Sequence, residues 1–476
     1  MPLKPDRRTF VKTSAASTAA LGVGFWAGGG VAAKPSISAL EEIRFGCIGI
    51  DGKGSSDSAD ANNTERNQSK VIAICDIDEK AHSKFDKKFP GAKKYFDFRK
   101  MLYEMGKSID AVTVSTPDHT HAVAALMAMD MGKHCFCQKP LTHSIEEARK
   151  MALVSKEKKL VTQMGNQGTA LGNVRLSAAL IRGGIIGKVK EVHCWTNRPV
   201  WPQSYGLKVQ TGPKDDDAEA KEAWDARVKQ VHWKEWIGPA KTRPYSPDYH
   251  NFKWRGFWDF GTGALGDMAC HTLNMSFMAL DLRDPLSVEA KTDKHDKNCF
   301  PKKSRIEFEF GEYKGRAPLK LFWYDGGELP PEDLLKDLPR YKDNEDNEHL
   351  RASGTLLVGE KGMFYSPGDY GGIVQNTGIV VDGEFTNQRR VEMKPDYPRS
   401  KGHFTEFTDA IRGEGTPMSN FTNYAGPLTE TILLGNLAVW SGKKVIWDAK
   451  EMKAKDASPD VEKMIRHEYL NGYSIG

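Results

Sequence analysis

The sequence predicts an α/β protein in two parts, a doubly wound parallel sheet followed by an open, mainly antiparallel one. Three observations predict it. Short apolar runs at residues 43–50, 71–75, 111–115, 134–137 and 160–164 alternate with helical stretches, the pattern of successive βαβ units. The first run ends in a glycine-rich turn, Gly49-Ile50-Asp51-Gly52-Lys53-Gly54. From Val189 the strands change character: Val189-Lys190-Glu191-Val192-His193-Cys194-Trp195 alternates, as a half-exposed strand does.

Composition narrows the function. The 476 residues are enough for two domains and a large core. The net charge of +5 comes from scattered lysines and arginines without a basic stripe, so nucleic acid is not an expected partner. Seven cysteines at irregular spacing do not form a disulfide framework. Cys135 and Cys137 share a strand face, but no second Cys/His pair accompanies them, so they read as core thiols and no metal site is expected. Arg7-Arg8-Thr9-Phe10-Val11-Lys12, an Ala/Gly-rich run and Val31-Ala32-Ala33 describe a twin-arginine export signal over residues 1–33. The protein is therefore expected in the periplasm or otherwise exported. The apolar run is Gly- and Ser-rich and barely long enough to span a bilayer, so stable membrane insertion is not expected.

The first strand and its turn form the arrangement that binds a dinucleotide pyrophosphate at a helix amino terminus, with Gly49, Gly52 and Gly54 as candidates. Asp51 stands where the middle glycine belongs. Either Gly52 takes over the close approach with Asp51 turned away, or the turn is only a tight corner. Asp76 ends the second strand, about twenty residues on, where a carboxylate holds the ribose hydroxyls and repels a 2′-phosphate. It favours NAD over NADP; its competing role is an ordinary helix cap.

The third βαβ unit, Ala111 to Pro140, carries two polar strand ends, Thr116-Pro117-Asp118-His119 and Gln138-Lys139-Pro140. Ligands bind at the carboxyl ends of such strands, so Lys139 is a candidate catalytic group. A capping box, Ser144 with Glu147, opens the next helix. The following strand ends at Gly165-Asn166-Gln167-Gly168 beside the same crevice, with Asn166 a candidate cofactor contact.

Beyond Val189, the charged stretches 214–229 and 328–347 read as exposed insertions. Between them, nine aromatic residues crowd positions 233–260, with Arg243, His250 and Arg255 interspersed. Such a segment suits stacking on sugar rings, with Trp254, Arg255 and Trp258 as candidates; a stiff aromatic core is the other reading. Asp267 and His271 then lie on one helical face, four residues apart. A carboxylate aligning an imidazole general base fits that spacing, and so does a cap with a structural histidine. Two helices close the chain, 404–412 and 430–440, the second expected to pack back on the first domain. The divisions expected are 40–165, 166–420 and 421–476.

The glycine turn with Asp76, the Thr116-Pro117-Asp118-His119-Thr120-His121 run, Gln138-Lys139-Pro140 and Asp267-Met268-Ala269-Cys270-His271 occur in an order and spacing that resembles the Gfo/Idh/MocA oxidoreductases, in particular their exported branch. The resemblance implies a Rossmann domain, a carboxyl-terminal α/β domain with an open sheet, and a nicotinamide between them. It implies Lys139 as the catalytic lysine, His271 as the general acid/base and Asp267 as its neighbour. Thr116 and Pro117 fall beside the nicotinamide ribose, and His121 closes that motif. Gln138 replaces the family's usual glutamate and removes one negative charge beside the lysine. The expected activity is oxidation of a sugar or glycoside hydroxyl with tightly held NAD, in a homo-oligomer formed through the open sheet. Two alternatives stand beside it: redox-neutral glycoside cleavage through a transient 3-keto sugar, and a non-catalytic carbohydrate-binding protein on the same fold.

Overall fold

Six short strands, most of their residues buried, pair in parallel: β1 (Ile43–Ile48), β2 (Ser69–Cys75), β3 (Lys93–Tyr95), β4 (Ala111–Val114), β5 (His134–Cys137) and β6 (Thr162–Met164). Their order is β3-β2-β1-β4-β5-β6, so the winding reverses between β1 and β4. The computed structural model describes residues 42–455 and 457–476, and the export signal read at residues 1–33 lies outside them. Helices α1 (Gly54–Ala61), α2 (Glu79–Phe85), α3 (Phe98–Met105), α4 (Asp118–Asp130) and α5 (Ile145–Glu157) connect the strands, and α6 (Gly172–Arg182) leads out. Register puts Ile48 beside both Cys75 and Val114, Val114 beside Cys137, and Cys137 beside Met164. Gly49, Asp76, Ser115, Gln138 and Gly165 therefore leave the sheet at one level, along a single polar rim.

The second sheet starts with β7 (Val189–Trp195). Then come α7 (Ala218–Gln230), α8 (Trp233–Ile237), α9 (Gly263–Thr272) and α10 (Asn274–Leu280). Strands β8 (Ser287–Thr292), β9 (Ser304–Phe310) and β10 (Leu319–Tyr324) follow, then α11 (Glu332–Leu335) and a ribbon of β11 (Tyr341–Lys342) and β12 (Glu348–His349). The remainder is β13 (Gly354–Gly359), β14 (Gly362–Pro367), β15 (Gly378–Val381), β16 (Glu384–Asn387), α12 (His403–Ile411), α13 (Gly426–Ser441), β17 (Val445–Asp448), β18 (Lys453–Ala454) and α14 (Pro459–Ile465). The ten-stranded order is β16-β15-β14-β13-β7-β10-β9-β8-β17-β18, with β7 and β10 the parallel pair in an otherwise antiparallel sheet. The predicted fold class, two sheets of different kind, is the one observed.

One face of this sheet, with Val192, Ile306, Phe308 and Leu321, packs into the core shared by α9 and α13. The other carries Trp195, Phe322, Tyr324 and Tyr365, and Leu335 and Leu338 cover them. The stretch 328–347, expected as a solvated insertion, thus buries apolar side chains on the sheet that was expected to mediate oligomerisation. What remains open toward β8 and β9 is laced with ion pairs, Lys320 with Glu307 and Lys444 with Glu309. The stretch 214–229 forms α7, capped by Asp217 Oδ1 accepting from Ala220 N at 2.7 Å. Its apolar stripe is narrow, Ala220, Trp224 and Val228, and only half-buried, with Trp224 against Tyr245.

Both closing helices return to the first domain. Phe404 and Phe407 of α12 pack on Phe45 and Phe136 of β1 and β5. Helix α13 packs on α5, where Arg149 Nε donates to Glu430 Oε2 at 2.9 Å. All seven cysteines are buried and free.

The rim depends on α1 lying close under β1. A Cβ at Gly54 would overlap the carbonyl oxygen of Gly49, a backbone atom that cannot step aside. Gly54→Ala is expected to cost about 1–3 kcal/mol, as overpacking typically does, and to lower the melting temperature by several degrees. Calorimetry of the two proteins checks this; an unchanged melting temperature would show that the helix can shift freely.

Candidate functional site

The glycine turn is built as a close corner. Gly49 has φ +77°, and a Cβ there would stand 2.5 Å from Ser115 O. Gly52 has φ +56° and faces open space. Asp51 is turned aside: its Oδ1 accepts from Gly52 N at 2.8 Å and from Lys84 Nζ of α2 at 2.6 Å. Of the two readings of this turn, the geometry follows the one with Gly52 at the open position and Asp51 diverted. Asp76 accepts from Ile50 N at 2.9 Å and from Asp78 N at 3.1 Å, which fixes its carboxylate beside the turn. Burial pushes its pKa up against those two amides.

On the other side of the winding reversal, β4 and β5 deliver Thr116, Pro117 and Lys139 to the same rim. His121 of α4 ties their turns together: Nδ1 lies 2.8 Å from Pro140 O and Nε2 lies 2.8 Å from Thr116 O. Burial pulls this imidazole down to about 4, against the two carbonyls. It is a positioning group between the strand ends.

Helix α9 brings the second domain to this point. Lys139 Nζ donates to Asp267 Oδ1 at 2.7 Å and to Asp267 O at 3.0 Å. Arg255 Nε donates to the same Oδ1 at 3.1 Å. Burial pushes the Asp267 carboxyl up, but Lys139 and Arg255 outweigh it and hold it below the usual carboxylate range. His271, one turn on, is buried, and its Nδ1 has no hydrogen-bond partner among the described residues. Burial, then the charge of Lys139, pulls its pKa well below the ordinary 6.5, so the imidazole is neutral. Tyr370 packs edge-on against it at 4.5 Å. A second carboxyl, Asp118 at the start of α4, is 3% exposed and accepts from Thr262 Oγ1 at 2.7 Å. Burial raises it from 3.8 to about 7. Among the described residues, no group of three His, Cys, Asp or Glu stands where it could hold a metal ion.

This geometry coincides with what sequence comparison finds. Residues 43–166 match the Gfo/Idh/MocA oxidoreductase family's NAD-binding Rossmann fold, and residues 219–315 match that family's carboxyl-terminal α/β domain. The chain belongs to the Gfo/Idh/MocA family. Relatives include 2,7-anhydro-N-acetylneuraminate hydratase of Escherichia coli, 32% identical over 95 residues, which are 20% of this chain and 25% of that protein. Levoglucosan dehydrogenase of Pseudarthrobacter phenanthrenivorans is 35% identical over 81 residues, 17% of this chain and 21% of that protein. The chain thus matches about a quarter or less of the length of these relatives. Among solved structures, the WlbA dehydrogenase of Chromobacterium violaceum, crystallised with NADH and UDP-GlcNAcA, superposes with a TM-score of 0.58 at 17% identity, over 87% of this chain and 99% of that one. At that identity the likeness is one of fold.

Lys139, Asp267 and Arg255 meet in one cluster, with His271 one helical turn from Asp267; Arg255, expected against a sugar ring, is tied to the Asp267 carboxylate. Other expected contacts are placed elsewhere. Trp258 does not face the cleft: it stacks on Phe300 at 3.6 Å and donates from Nε1 to Cys299 O at 3.1 Å. Asn166 is fully buried and serves as a tie between domains, its Oδ1 accepting from Ser419 Oγ at 2.5 Å. Trp254 is buried and stands behind the site, its ring 4.3 Å from the Arg255 guanidinium carbon. Much of the aromatic segment is core: Trp233 and Trp236 stack at 4.4 Å, and Trp236, Tyr249, Phe257 and Phe260 share one cluster. The packing reading, not the sugar-stacking one, describes those rings. Asp118 and Tyr370 were missed. Asp118 looks like any acidic residue in a first helical turn, and Tyr370 lies far in sequence from the motifs it joins.

Asp118 has a measurable signature. Its folded pKa is raised, so its stabilising contribution is full below its unfolded value near 3.8 and is lost as pH rises through about 7. Asp118→Asn should therefore gain on the wild type, by on the order of 4 kcal/mol, between about pH 4 and pH 8. Chemical denaturation at the two pH values checks this; parallel stabilities would place the Asp118 titration in the ordinary range.

Proposed function

We propose that this chain is an NAD-dependent oxidoreductase acting on a hydroxyl of a sugar or glycoside. The observation that carries the reading is Lys139 and Arg255 sharing the buried Asp267 carboxylate, with neutral His271 one helical turn away. Gly49, Gly52 and Gly54 would receive the pyrophosphate, Asp76 the adenosine ribose, and Thr116 and Pro117 the nicotinamide side. Asp76 disfavours a 2′-phosphate, hence NAD over NADP. A nicotinamide dinucleotide bound there supplies the hydride acceptor for oxidation of a carbinol carbon. Lys139 spends two of its three N–H donors on Asp267 and aims the third at a substrate oxygen, where it stabilises developing negative charge. His271, neutral, accepts the hydroxyl proton, and the adjacent Asp267 carboxylate steadies the imidazolium that results. The names of the relatives, levoglucosan dehydrogenase among them, support a sugar-like substrate. The hydratase relative favours a second reading, a net redox-neutral reaction at the same site.

We also propose that the cofactor is held tightly. The insertion between β7 and α9 straps across the carboxyl end of β2. Arg227 of α7 donates to both carboxylate oxygens of Asp78 at 2.9 Å and 2.5 Å, and His250 Nε2 lies 3.2 Å from the same group. His232 N donates to Ile77 O at 2.8 Å, and its ring stacks on Phe96 at 3.7 Å. These contacts stand beside Asp76. Export through the twin-arginine route, proposed from residues 1–33, would deliver the protein folded and already loaded.

Denaturing the purified protein should release about one NAD(H) per chain, and none even after incubation with NAD would sink the enzyme reading. Lys139→Met and His271→Ala should each lower turnover at least about 100-fold while the fold persists. A panel of glycosides, scored for keto-sugar against released aglycone, separates oxidation from cleavage. Arg227→Ala should speed exchange of bound NADH about tenfold, the effect of losing one charged pair; an unchanged exchange rate would mean that the strap does not hold the cofactor.

A further inference from the structure

One buried charge at the rim has no part in that chemistry. Asp57 of α1 is 1% exposed. Its Oδ1 accepts from Lys53 Nζ at 2.5 Å, and its Oδ2 accepts from Ser115 Oγ and from Gln138 Nε2, both at 2.8 Å. The three donors belong to three different rim turns. Lys53 lies in the glycine turn, Ser115 precedes Thr116-Pro117, and Gln138 precedes Lys139. A single carboxylate therefore gathers the turns that surround the site.

The partner at position 138 is constrained on both sides. Gln138 reaches Asp57 across Gly165, where a Cβ would overlap the amide. Its Oε1 accepts from Lys139 N at 3.2 Å, so its Nε2 is the end that meets the carboxylate. A glutamate here would set one carboxylate against another at hydrogen-bond distance. Both could not stay ionised without a shared proton. Glutamine, rather than glutamate, is what a carboxylate at position 57 requires.

We propose that Asp57 is a positioning residue for Lys139 and the Thr116-Pro117 turn, and that Asp57 and Gln138 work as one carboxylate–amide pair. The pair keeps a fixed negative charge beside the lysine-bearing strand end but carries it on α1 instead of on that strand. The proposal deepens the oxidoreductase reading of the cleft and rests on it for its functional consequence.

The test is a charge swap in the full-length protein: wild type, Asp57→Asn, Gln138→Glu and the double variant. NADH affinity is followed by fluorescence from about pH 5 to pH 9. Asp57→Asn should weaken NADH about tenfold at every pH, because three donors lose a charged acceptor. Gln138→Glu should bind nearly normally while the pair shares a proton and lose about tenfold as that proton leaves at higher pH. The double variant should return to within about threefold of wild type with no pH dependence, because the charge has only moved across the pair. A double variant as weak as the sum of the two singles, or a Gln138→Glu protein without pH dependence, overturns the pair. The same cycle in melting temperature reads the coupling without any cofactor. A wild type that binds no NADH would defeat the functional reading, whereas additive melting temperatures would defeat the pair itself.

Discussion

The site depends on a buried carboxylate that two cations share. Asp267 lies on a helix of the second domain, Lys139 at a strand end of the first, and Arg255 in the insertion between β7 and α9. Side chains so buried are costly to charge, and their pairing offsets that cost. Removing Asp267 would leave two cations unpaired in low dielectric, so its carboxylate ties the two domains together as well as ordering the site. It also leaves a positive excess of one. That excess, with burial, keeps His271 neutral. A cation beside a neutral base is what a hydroxyl losing its proton needs.

Polar contacts hold the surrounding junction, and they are directional. Thr262, at the start of α9, donates to Asp118 at the start of α4, and its carbonyl accepts from Asn436 of α13 at 2.9 Å. His119 Nε2 lies 3.0 Å from Trp236 O, and Tyr424 Oη donates to Asn274 Oδ1 at 2.5 Å. Apolar packing alone tolerates small slides, whereas a buried hydrogen bond broken by a slide leaves its group unsatisfied. The helix bearing Asp267 and His271 is therefore set against the first domain before any ligand arrives.

What the sequence disclosed and what it hid follow from how local each signal is. The glycine turn, Asp76, the turn before α4, Lys139 after β5 and the Asp267–His271 spacing are each written within a few residues, and all of them lie at or beside the cleft. The alternation in β7 and the apolar runs before it fixed the fold class for the same reason. Trp258 and Asn166 were misplaced because their neighbours come from far away: Phe300 and Cys299 for one, Ser419 for the other. The charged stretch 328–347 concealed Leu335 and Leu338, whose burial depends on Trp195, Tyr324 and Tyr365 across the sheet. Helix α7 was overlooked because its apolar stripe, Ala220, Trp224 and Val228, is narrow and set among charged residues.

Helix α7 and the aromatic core behind it make sense together. A strap that holds only at its tip would be a loosely tethered loop. Here Trp233, Trp236, Tyr249 and Phe260 give it a rigid base, and His119 anchors that base to α4. The carboxyl-terminal tail adds a second tether, with Leu470 N on Pro239 O at 3.0 Å and Asn471 Nδ2 on Gly238 O at 2.8 Å. The Arg227–Asp78 contact, with Asp78 buried, is thus the far end of a stiff lever and not an isolated surface pair. Surface pairs contribute little because both side chains must be ordered to make them. When the backbone on both sides is already fixed, most of that ordering cost has been met, and a pair at the rim of the cleft can act as a latch.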